Sequence, residues 1–135
     1  MPTELFSPLM TAREARLKTP LALAYVGDTV WDLLVRRSLL LSGEKAGALH
    51  RRAVQLVNAA AQARACLKIE PHLTEEERDV LRRGQNAHAK HAVPKNQSPE
   101  DYSRATGLEA LMGYLYLSGQ MERIGELFDI AGAIH

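Results

Sequence analysis

LALAYVGDTVWDLLV, residues 21–35, is apolar at almost every position, with Asp28 and Asp32 its only charges. It shows no strand-period alternation, so it reads as a helix with apolar residues on every face, which is the pattern of a core helix. Pro20 suits the first turn and Gly43 lies just past the end, which extends the helix to about Leu41. An acid is expensive in such a place. A carboxylate taken out of water must be protonated, paired or bound to a cation. The puzzle recurs in ATGLEALMGYLYL, residues 105–117, where Glu109 is the one formally charged side chain. A metal ion shared by Asp28 and Glu109 resolves both costs, and a divalent cation held by carboxylates is a means of activating water. On pattern alone, buried acids satisfied by backbone or arginine partners explain the two stretches equally well.

The flanking sequence predicts further helices and no strands. Ser7-Pro8 reads as the N-cap and first-turn proline of a short helix through Thr11 to Leu17, and residues 45–69 read as one Ala-rich helical stretch stopped by Pro71. Thr74 and Glu77 form a capping box that launches a helix to Arg83, with Gly84 as its stop. Ser98-Pro99-Glu100-Asp101 opens the helix that carries Glu109 and ends at Gly119, and residues 121–133 close the chain as an amphipathic helix. The expected fold is all-α, a single domain over residues 1–135, since the chain is too short for two of ordinary size. Gly27, Gly107 and Gly113 are expected to let the two acid-bearing helices approach closely.

Seventeen Lys and Arg against sixteen Asp and Glu leave no overall basicity, so any nucleic-acid contact must be local. The distribution is more telling. From Arg82 through Ser98 there is no acid, and Arg82, Arg83, Lys90 and Lys95 gather there with His88 and His91. Cys66 is the only cysteine, which excludes an intrachain disulfide and a Cys-rich zinc site and favours a cytoplasmic protein. No basic leader precedes an apolar run, and Asp28 and Asp32 break the longest apolar stretch, so neither an export signal nor a membrane span is expected. Asp32 stands four residues before Arg36, the favourable order for a helix salt bridge, and reads as structural. Tyr25, Trp31, Tyr114 and Tyr116 fall at core-like spacing and are expected in the core or at a subunit interface.

LAYVGDTVWDLLVRRSLL resembles the signature helix of the ribonuclease III catalytic domain. Together with LRRGQNAHA and PKNQSPEDYSRATGLEALMGYLYL, and without an appended double-stranded-RNA-binding domain, the chain is similar to the Mini-ribonuclease III family. That resemblance implies a homodimeric, magnesium-dependent endoribonuclease, with Mn2+ as a possible substitute. It would cut double-stranded RNA during maturation of large-subunit (23S) ribosomal RNA, leaving 5′-phosphate and 3′-hydroxyl ends. It implies Asp28 and Glu109 as catalytic and metal-binding residues. It also implies RNA contacts from Arg82, Arg83, Asn86, His88, Lys90, Lys95 and Asn96, which suit the phosphates and 2′-hydroxyls of A-form RNA. Trp31 is the expected dimer contact. Full-length ribonucleases III carry a glutamate and an aspartate where this chain has Ala24 and Thr106, a thinning that the Mini-ribonuclease III family shares. Gln85 and His88 replace the Arg and Lys usual in that family, a departure that bears on RNA affinity. His50-Arg51-Arg52 resembles a basic segment of the family, and a solvated helix face explains it equally well. The rival readings are a non-catalytic module that binds structured RNA and a helical dimerisation module.

Overall fold

The computed structural model describes residues 7–87 and 98–132. Its described residues form α-helices and no strand: α1 (Ala12–Arg16), α2 (Pro20–Leu41), α3 (Ala46–Val57), α4 (Ala59–Ile69), α5 (Glu75–Ala87), α6 (Pro99–Leu117) and α7 (Met121–Ala131), with a 3-10 turn at Glu70–His72. The all-α expectation holds. Helix α6 is the central element, with α2, α4 and α5 packed around it. Residues 105–108 and 110–115 are all buried, leaving Glu109 as the break in the run.

The long helices start where the sequence supplies caps. Thr19 Oγ1 accepts the Ala22 N–H ahead of Pro20, and Ser98 Oγ accepts the Asp101 N–H ahead of Pro99. Each satisfies an N–H that the helix leaves without a partner. Two glycines then decide how α2 and α6 meet. A Cβ at Gly27 would lie 1.6 Å from the Glu109 carbonyl oxygen, and one at Gly113 would lie 1.9 Å from that of Leu23. Only glycine permits this backbone contact. Gly107 serves a different interface, because its own missing Cβ would meet Leu81 and Gln85 of α5.

Helix α2 is buried on one side only. Leu23, Gly27, Trp31, Val35 and Leu39, spaced by four, face the core, whereas Leu33, Leu40, Leu41 and Tyr25 are exposed, Tyr25 by 83%. The expected contact of Trp31 with a second subunit is therefore corrected. Its ring is 1% exposed and packs edge-on against Phe128 of α7, with centroids 5.2 Å apart. Tyr25 is likewise not a core residue. The apolar face available to a partner is the opposite one.

Three element boundaries also differ from expectation. Helix α1 begins at Ala12 rather than at Pro8, because Thr11 and Glu14 form a reciprocal capping box there. The stretch 45–69 is two helices. Asn58 adopts an extended backbone, and its Oδ1 caps α4 by accepting the Ala61 N–H while its Nδ2 donates to the Val54 and Gln55 carbonyls of α3. Gly84 does not stop α5, which runs on to Ala87. Its role is close approach, since a Cβ there would lie 2.8 Å from Ala110 Cβ and 2.9 Å from Gly107 Cα.

Among the described residues, one ion pair links distant helices. Arg123 of α7 donates from Nε and Nη2 to the two Glu77 carboxylate oxygens, each at 2.8 Å, and Nη2 also reaches the His72 carbonyl. Glu77 closes the capping box with Thr74 as expected. Burial pushes the Glu77 carboxyl up, but the hydrogen bonds from Arg123 and Thr74 together hold it below the ordinary range.

Candidate active site

Asp28 and Glu109 come together because the helices that carry them touch. The contact of Gly27 with the Glu109 backbone brings the two carboxyl groups to one cleft, close enough for each to act on the other. The cleft measures about 450 Å³ and is walled by Leu21, Ala24 and Tyr25 of α2, by Val57, Asn58, Ala59 and Gln62 at the α3–α4 junction, and by Tyr102, Ala105 and Thr106 of α6. Ala24 and Thr106 thus line the same cleft as the two acids.

The two acids differ in environment. Asp28 is exposed, because it lies on the flank of α2 next to the buried Gly27 stripe; the expectation that its helix hides it is corrected. Glu109 is half-buried. Burial first, then the hydrogen bond and negative charge of Asp28, push its carboxyl up to about 8, and the hydrogen bond from the Gln62 amide pulls the other way. Gln62 Nε2 donates to Glu109 Oε2 at 3.5 Å. No group of three or more His, Cys, Asp and Glu gathers among the described residues, so the pair stands without further acidic ligands.

This donor set fits a hard divalent cation. Two carboxylates facing one another repel, and a cation between them removes the penalty that raises Glu109. Magnesium accepts one or two carboxylates and keeps waters in its remaining positions, so a pair is enough.

The basic positions divide. Arg82 is exposed and pairs with Asp79 one turn earlier. Arg83 is half-buried, and its guanidinium donates to the Arg16 and Lys18 carbonyls at 2.7 and 3.2 Å, at the end of α1. Asn86 is exposed near the end of α5. His88, His91, Lys90, Lys95 and Asn96 lie outside the described residues. Gln85 packs between helices, its carbonyl accepting the Ser103 hydroxyl at 2.9 Å and its amide reaching Cys66 Sγ. Asp32 pairs with Arg36 at 2.9 Å as expected. His50 and Arg51 are exposed, and Arg52 pairs with Glu44. Burial pushes the Cys66 thiol up to about 12, which leaves it inert.

The sequence reading missed Gln62, Asn58 and Tyr102 as cleft residues. Gln62 carried a signal, since a lone long amide in AAAQARA must find a partner if that Ala-rich face packs.

Residues 21–120 match the family model described as the Ribonuclease III domain. A Mini-ribonuclease 3 of Symbiobacterium thermophilum is 48% identical over 113 residues, covering 83% of this chain and 86% of that one. A Mini-ribonuclease 3 of Brevibacillus brevis is 45% identical over 123 residues, covering 90% and 91%. Among solved structures, the crystal structure of a Fusobacterium nucleatum protein superposes with a TM-score of 0.77 at 31% identity, covering 85% of this chain and 92% of that chain.

Proposed function

The chain belongs to the ribonuclease III domain family and is similar to its Mini-ribonuclease 3 members, and we propose that it is a magnesium-dependent endoribonuclease acting on double-stranded RNA. The family assignment makes it an endoribonuclease that leaves 5′-phosphate and 3′-hydroxyl ends. Its substrate would be a duplex, its cation magnesium, and its role the maturation of 23S ribosomal RNA. The single observation that carries it is the juxtaposition of Asp28 and Glu109 on an open cleft, with Glu109 strained by its neighbour.

Asp28 and Glu109 would hold the cation. A carboxylate-held divalent ion supplies a water of lowered pKa and neutralises phosphate charge. The chain's own residues do the rest. Asp28 is exposed and can meet an incoming backbone, whereas Glu109 is set deeper and accepts a hydrogen bond from Gln62. Asn58 and Ala59 bring the start of α4, the positive end of its dipole, to the same cleft, where it favours an anion. Arg82, Asn86, His88, Lys90, Lys95 and Asn96 are proposed to grip phosphates outside the cleft. A homodimer would set two such clefts on one duplex, and the exposed apolar face of α2 supports that assembly.

The test is RNA binding and cleavage compared on duplex and single-stranded substrates. Duplex should be cut and single strand spared. Replacing Arg82, Lys90 and Lys95 by Ala should weaken binding and flatten its salt dependence by about one unit of slope per lost phosphate contact. Equal cutting of single strands, or an unchanged slope, would overturn the substrate assignment.

A further inference from the structure

We infer that Gln62 is a positioning residue for the Glu109 carboxylate, an inference that rests on the metal-centre reading above. Gln62 is 3% exposed, one of few polar side chains buried among the described residues, and it lies on the cleft wall rather than in the apolar interior. Its Nε2 donates to Glu109 Oε2 at 3.5 Å, the long end of a hydrogen bond. Such contacts in unloaded sites are often long and tighten when the site fills.

The surrounding chain holds this amide firmly. Asn58 fixes the start of α4 from both sides, accepting from Ala61 and donating to Val54 and Gln55, so the first turn cannot fray. Gln62 follows directly, and Ala63, Ala65 and Cys66 bury the same helix behind it. A primary amide sunk among alanines costs free energy unless bonded, and here its donor is aimed at the one acid of α6 that faces the cleft.

The chemistry distinguishes an amide from the alternatives at this position. With its N–H end turned to Glu109 Oε2, Gln62 acts on the carboxylate as a hydrogen-bond donor. It occupies the Oε2 side of Glu109 and thereby presents the carboxylate toward Asp28 in a single orientation, as groups behind a metal ligand do. A carboxylate at position 62 would instead add a third negative charge, and an apolar side chain would leave Glu109 free to rotate away.

The test compares the full-length wild type with Gln62→Met, which keeps the length and volume and removes the donor. Mn2+ affinity is read by calorimetry, with thermal midpoint and steady-state cleavage alongside. Positioning predicts that Mn2+ binds about 10-fold more weakly, that kcat falls at fixed metal while the KM for duplex stays, and that the thermal midpoint is kept. Gln62→Asn, which withdraws the donor by one methylene, should weaken Mn2+ binding in the same way and serves if Gln62→Met does not fold. Unchanged Mn2+ affinity in a folded Gln62 variant, with normal wild-type binding, overturns this inference alone. A wild type that binds no Mn2+ overturns the metal-centre reading and the inference with it.

Discussion

Glu109 is a residue whose placement works against the fold that carries it. Burial and the adjacent Asp28 raise its carboxyl to about 8 against an ordinary value near 4.5. The folded chain therefore binds this proton more tightly than the unfolded chain. Ionising Glu109 therefore costs folding free energy, a cost absent below about pH 4.5, growing as pH rises and complete above about pH 8. Glu109→Gln should accordingly make the metal-free protein more stable at pH 8, by roughly 1–3 kcal/mol, with the gain vanishing near pH 4.5. Urea denaturation in chelator at the two pH values measures it, and equal stability at pH 8 would show that the pair carries no such strain. The identities of both acids were legible in the sequence, because an acid in an apolar run demands a reason. Their environments were not. Whether Asp28 points to water depends on which face of α2 is covered, and residue types alone do not say so when the helix is apolar all round. Arg83 shows the same limit. Beside Arg82 in sequence it reads as another phosphate contact, and nothing local announces that it also bonds the Arg16 and Lys18 carbonyls, more than sixty residues away.

At the scale of elements, caps were legible and contacts between helices were not. Thr74 and Ser98 announce helix starts because a side-chain oxygen three residues from an N–H acts locally. Gly84 reads locally as a stop, but it is a contact with Gly107 and Ala110 on another helix. Asn58 went unread as a break because Ala-rich helical spacing continues on both sides of it. The Glu77–Arg123 pair is the clearest case of stability hidden from the sequence. It ties α5 to α7 with two charge-assisted hydrogen bonds, and the Glu77 side chain is only 6% exposed. Removing the cation leaves a buried carboxylate unpaired, so Arg123→Met should cost about 3 kcal/mol at neutral pH. Because the Glu77 carboxyl is held below its ordinary value, its contribution is present above about pH 4.5 and is lost as pH falls through the folded-state value. The difference between wild type and Arg123→Met should therefore shrink in acid. A difference that stayed constant from neutral to acid pH would assign the loss to packing instead of charge.

At the scale of the whole molecule, the chain presents an open cleft and an uncovered apolar face of α2. No helix among the described residues is long and apolar enough to cross a membrane. Leu33, Leu40, Leu41 and Tyr25 in contact with water are a standing cost, which pairing with a second copy would remove. Tyr25→Asp and Leu33→Asp should each shift the protein toward monomer in sedimentation at micromolar concentration without unfolding it, since neither side chain is in the core. A wild type that sediments as a fully active monomer would contradict the assembly. The central claim, that Asp28 and Glu109 form a metal-dependent centre for cutting duplex RNA, is tested most directly by a magnesium titration of duplex cleavage by the wild type and by Asp28→Asn. The substitution keeps the shape of an exposed side chain and removes its charge. The wild type should not cut in chelator and should cut saturably with magnesium. Asp28→Asn should stay folded and lose activity by about 100-fold or more at every magnesium concentration. Near-normal cutting by Asp28→Asn, or wild-type cutting that ignores magnesium, would contradict the claim.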